Sequence, residues 1–92
     1  MSIKPSIIVS RIARKKPKYL KIIKTKPTVD GRLVASWLVE IVNEDNGERL
    51  FYGRLRIEDV VKLEKLLEAR GYGLYRGNYK PNHLVEYWCY CG

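Results

Sequence analysis

The chain is predicted to be α+β: an antiparallel β-meander of three to five strands packed on one α-helix, with a C-terminal strand returning to the sheet. Three observations predict it. Residues Tyr19 to Arg56 have high β-propensity broken by two turn signals, Ile57 to Arg70 carries one apolar stripe at helical spacing, and Tyr72 to Tyr90 is a ring-rich return. With 92 residues the expectation is a single domain, 1–92, burying one core of modest size.

The first 26 residues carry nine Lys and Arg and not one Asp or Glu, against a net charge of +8 for the whole chain. These cations are interleaved with Ile7, Ile8, Val9, Ile12, Tyr19, Leu20, Ile22 and Ile23. That apolar content suits a strand presenting cations to a polyanion better than a solvated tail. Residues 1–16 are accordingly expected as a first strand, over Ser6 to Ile12, or as a mobile basic arm.

Tyr19 to Val29 reads as a strand, Asp30-Gly31 as a two-residue turn, and Arg32 to Asn43 as the second strand of a hairpin. Pro27 cannot donate a ladder hydrogen bond, which places the first of these strands at an edge or gives it a bulge near its end. Asn43 to Gly47 supplies the next turn, and Glu48 to Arg56 the third strand. Alternation puts Tyr52, Arg54 and Arg56 on one side of that strand and Phe51, Gly53 and Leu55 on the other. The faces of Tyr19 to Lys24 stay ambiguous, and both sets of the second strand are apolar enough for core, with Trp37 favoured as a buried anchor.

The helix Ile57 to Arg70 has Ile57, Val60, Val61, Leu63, Leu66 and Leu67 as its apolar stripe. Glu58 and Asp59 open it and Gly71 follows it, in keeping with the macrodipole and with C-terminal capping. A helix of this length needs a surface to cover, so it lies across one face of the meander and leaves the other face free for function.

Gly71 to Asn82 holds three Tyr, three Gly and no acid, and reads as a flexible, ring-bearing binding loop. His83 to Tyr90 is the last strand, an edge strand. Cys89 and Cys91 stand two apart, and such neighbours are expected as free thiols or an intermolecular bond. With His83 they make three ligands where a structural zinc site wants four, so no metal is expected. No phosphate-binding glycine loop, nucleophile elbow or paired acid appears, so no cofactor and no catalysis are expected.

The function read from these features is nucleic-acid binding with little sequence specificity, single strands preferred, by phosphate contacts and base stacking. The candidate charges are Arg11, Lys15, Lys16, Lys18, Lys21, Lys24, Arg54, Arg56, Arg76 and Lys80, and the candidate stacking rings are Tyr19, Tyr52, Tyr75, Tyr79 and Trp88. One alternative is a sheet lying in the major groove of duplex DNA, with Arg54 and Arg56 at guanine edges. Others are a protein-interaction module and a small ribonuclease using His83 with Arg76 or Lys80. No run approaches the roughly 20 apolar residues of a membrane span, and no apolar run of signal-peptide length opens the chain, so a cytoplasmic protein without a membrane partner is expected. An exposed edge strand allows a homodimer.

The order of meander, helix and ring-rich return, with its basic charge, resembles the ThermoDBP single-stranded DNA-binding domains of thermophilic archaea. Absence of Gln, Met only at position 1, and dominance of Lys, Arg and Glu fit a thermophilic source. The resemblance implies an antiparallel sheet backed by a helix and a basic, aromatic cleft that holds single strands without sequence readout.

Overall fold

The computed structural model describes residues 3–26, 28–29, 31–33 and 35–91. The chain begins with helix α1, Pro5–Lys15, where the sequence suggested a strand or an arm. Pro5 pre-sets the first turn, and Ile8, Val9 and Ile12 fall on one side of the helix and are fully covered. The β-branched content that argued for a strand is thus outweighed by burial at helical spacing. Arg14 and Lys15 complement the C-terminal dipole, and Lys16 ends the helix in the left-handed conformation, its N–H donating to Ile12 O at 3.1 Å.

Strands β1 (Tyr19–Thr25), β2 (Thr28–Val29), β3 (Arg32–Leu33), β4 (Ser36–Asn43) and β5 (Glu48–Arg56) follow. The expected hairpin is present, but its tip, β2 with β3, forms a separate two-stranded ladder. Asp30 and Pro27 lie outside the described residues. Helix α2 (Ile57–Ala69) leads to β6 (Tyr72–Lys80) and β7 (His83–Tyr90). The five long strands form one antiparallel sheet in the order β5-β4-β1-β7-β6. Two expectations about edges are therefore corrected. β1 is the central strand, since it ends at Thr25 before the proline can interrupt its ladder, and β7 lies between β1 and β6.

The Tyr72 to Lys80 segment, expected as a loop, is strand β6, paired with β7 across the Pro81-Asn82 turn at every residue except Tyr75. Its glycines differ in role: Gly73 meets nothing within contact distance, whereas a side chain at Gly77 would collide with the Tyr79 ring that lies over it.

Both helices cover one face of the sheet. Leu20, Ile22, Val39, Ile41, Phe51, Leu55 and Trp88 meet Ile8, Val9 and Ile12 of α1 and Val60, Leu63 and Leu67 of α2. The helical stripe is narrower than its sequence suggests: Ile57, Val61 and Leu66 remain exposed, because α1 beside α2 already occupies the rest of the sheet. Gly71 (φ 99°) turns the chain out of α2, donating to Glu68 O at 3.0 Å. Tyr72 then anchors the layers by donating its hydroxyl to Pro17 O at 2.6 Å.

Cys89 and Cys91 are joined by a disulfide, in place of the expected free thiols. Alternate residues at the end of a strand point the same way, and their Cα atoms stand 5.5 Å apart, within reach of a bridge. Among the described residues no helix is long and apolar enough to cross a membrane.

Candidate nucleic-acid interface

The sheet face opposite the helices is open, and the strand registers set its side chains in rows. One row runs Arg49, Val42, Lys21, Tyr87, Arg76 from β5 to β6. The next runs Tyr52, Glu40, Ile23, Val85, Asn78, and a third runs Arg54, Leu38, Thr25, His83, Lys80. The centre of the face mixes apolar Val42, Leu38, Ile23 and Val85 with Lys21, Glu40, Thr25 and His83, while cations stand at both ends of two rows.

Tyrosines gather at one end. Tyr19 opens β1, with its ring centroid 6.0 Å from that of Tyr75 in an edge-to-face contact. Tyr75 lies 6.4 Å from Tyr87, and the Arg76 guanidinium stacks 4.7 Å above the Tyr87 ring. A bulge in β6, where the register against β7 shifts between Leu74 and Arg76, places Tyr75 and Arg76 on the same face although they are adjacent in sequence. Lys18 Nζ sits 5.6 Å over Tyr19. The entry to β1 is pinned by Asp45 of the β4–β5 turn, whose carboxylate accepts the N–H groups of Lys18 (2.7 Å) and Tyr19 (3.2 Å). That turn forms as its sequence suggests, with Gly47 at φ 78° and its N–H donating to Asn43 O at 2.7 Å.

Across the sheet, Arg49 stacks 4.7 Å over Tyr52 and pairs with Glu40 at 2.8 Å. A second bulge, between the Ile41 and Val42 pairings, sets Arg49 on the open face with Tyr52. Lys21 pairs with Glu44 at 3.4 Å. Among the described residues Arg54, Arg56, Arg76 and Lys80 have no carboxylate within ion-pairing distance. The face therefore carries cations uncommitted to any acid beside rings that are exposed: Tyr75 keeps 53 % of its surface and Tyr52 54 %.

Of the residues proposed from sequence, the open face brings together Tyr19, Lys21, Tyr52, Arg54, Arg56, Tyr75, Arg76 and Lys80, with Lys18 at its rim. Arg11, Lys15 and Lys16 belong to α1 and its cap, in the helix layer, and Lys15 pairs with Glu48 at 3.5 Å. Three proposals need correction. Trp88 is 3 % exposed and packs in the core, so it offers no ring to a base. Lys24 is buried beneath α2, 2.9 Å from Glu64 and 3.0 Å from Glu86. Tyr79 lies on the helix side of the sheet, its hydroxyl donating to Glu86 at 3.3 Å, because the bulge reverses the facing of every residue after it.

The Lys24 cluster is a second electrostatic feature of the molecule. Burial, together with a hydrogen bond to Glu86, pushes the Glu64 carboxyl up to about 7 despite the pull of Lys24. Burial opposes the charged forms of Lys24 and Glu86 too. The two carboxylates nevertheless raise Lys24, and Glu64, Lys24 and Tyr79 together hold Glu86 below its ordinary value.

Tyr87 and Arg49 were missed as site residues. Alternation sets Tyr87 and Cys89 opposite Trp88 and Tyr90, but which of the two sets faces the helices depends on the neighbours of β7. His83 sits in the third row with Nδ1 3.3 Å from Thr25 Oγ1, at the far end of β7 from the disulfide, so these three residues do not converge. No family model, no curated protein and no solved structure matches the chain.

Proposed function

We propose that the protein binds single-stranded nucleic acid, DNA or RNA, with little sequence specificity, on the open face of its five-stranded sheet. The observation that carries this reading is the contact set Tyr19, Tyr75 and Tyr87, roofed by Arg76 and flanked by Lys18, on a face that no helix covers. Every base has a π-face, so a base stacks on an exposed tyrosine or on the outer plane of a guanidinium without being identified, for about 1–3 kcal/mol each. Phosphates meet the cations at the row ends. The half-buried centre of Ile23, Val42 and Val85 suits sugar and base edges in preference to a hydrated duplex backbone.

The same reading makes the protein a non-catalytic binder of cytoplasmic, thermophilic and archaeal character, like the ThermoDBP domains its element order resembles.

The test is fluorescence anisotropy with labelled poly-dT, poly-U and a mixed-sequence duplex over a salt series. Single strands are expected to bind more tightly than duplex, and Tyr87→Ala is expected to weaken both single strands by on the order of 1 kcal/mol or more with little change in salt slope. Equal or tighter duplex binding would move the reading to a groove-reading sheet. Binding to none of the three above a charge-driven background would defeat it.

A further inference from the structure

We infer that the bound strand does not end on the sheet face but turns over the β5 edge and places a phosphate against Arg11 of α1. This path rests on the open-face reading. The last residues of the rows at this edge, Arg49, Tyr52 and Arg54, also line a groove of about 470 Å³ whose far wall includes Arg11. Ile3, Leu50, Phe51 and Gly53 also line it, and no acidic residue does. β5 is the outermost strand of the sheet, so nothing paired to it closes the groove from the side.

The charges give the path a direction. Arg49 already pairs with Glu40, which leaves Arg54 at the rim and Arg11 beyond it as the two cations the groove offers to an anion. Both are exposed, and neither has a carboxylate within ion-pairing distance among the described residues. Two arginines facing one acid-free trough repel each other, and a polyanion threading between them relieves that repulsion. Four interstrand spacings make the face roughly 19 Å wide from β6 to β5. A short oligonucleotide is therefore used up by the rows, and only a longer one reaches Arg11.

The experiment compares oligothymidines of about four and about twelve nucleotides, near the ends of the range for small single-strand sites. Each is titrated against the wild-type chain, Arg11→Ala and Arg14→Ala, the last being an equal loss of charge on the same helix away from the groove. Arg11→Ala is expected to weaken the longer strand about threefold to tenfold and to lower its salt slope by about 0.7, as loss of one phosphate contact does, while leaving the shorter strand unchanged. Arg14→Ala should leave both nearly as they are. If Arg11→Ala weakens neither strand, or weakens both by the same factor as Arg14→Ala, the path over the edge is wrong while the face reading stands. If the wild-type chain binds neither oligonucleotide, the face reading falls and the path with it.

Discussion

Replacing Glu64 with Gln should flatten the pH dependence of stability between about pH 5 and pH 8. Glu64 projects from α2 onto Lys24, whose Nζ also reaches Glu86, and 21 % of the Glu64 side chain is exposed. A carboxyl whose pKa is raised by folding holds its proton more tightly in the native state. Its contribution is therefore fully present below the unfolded value and is lost as pH rises through the folded value. Moving from an ordinary 4.5 to about 7, at about 1.36 kcal/mol per pH unit, makes that loss about 3 kcal/mol.

The neighbours act outside this window. Glu86, held low, withdraws stability only as pH falls below the ordinary carboxylate range, and Lys24, held high, only in strong alkali. Urea unfolding followed by the fluorescence of buried Trp88 at about pH 5, 6, 7 and 8 measures the slope. The wild-type chain should lose on the order of 2–3 kcal/mol more than Glu64→Gln across that range. The comparison cancels groups that titrate elsewhere in both proteins. Parallel curves for the two would show that Glu64 is already ionised at pH 5 and that Lys24 compensates both carboxylates, which would refute the reasoning.

The corrected facings give three further outcomes. Tyr75→Ala should cost single-strand affinity on the order of 1 kcal/mol, whereas Tyr79→Ala, on the helix side, should leave affinity unchanged, both read by anisotropy. Trp88→Ala should destabilise the fold by about 3–5 kcal/mol in urea titrations, because a ring that is 3 % exposed leaves a cavity between sheet and helices. Gly71→Ala should lower stability by about 1–2 kcal/mol, since φ is 99° there and the new Cβ would stand 2.9 Å from the Tyr90 ring; an unchanged Tm would contradict it.

Much of the architecture is legible in the chain. The β4–β5 turn follows from Asn43 to Gly47, α2 from its acidic start, its apolar spacing and Gly71, and the outward set Tyr52, Arg54, Arg56 from simple alternation. These are local properties, decided by backbone preference and by period. The N-terminal helix is hidden in the sequence for a related reason: Ile and Val at strand-like density mask the sparser helical spacing of Ile8 and Ile12, and only their burial against the sheet separates the two.

What tertiary structure decided is which side of each strand meets the helices. In β1 both alternating sets contain cations and apolar residues, so the sequence is nearly symmetric, and the symmetry is broken by Glu64 and Glu86, which supply the pairing that lets Lys24 be buried. In β6, regular alternation would put Tyr75 and Tyr79 on one face. The bulge between Leu74 and Arg76 separates them, sends Tyr79 to Glu86 and turns Arg76 onto Tyr87. A one-residue slip reverses every facing beyond it, and its position depends on the partner strand, which the order of residues along β6 does not contain.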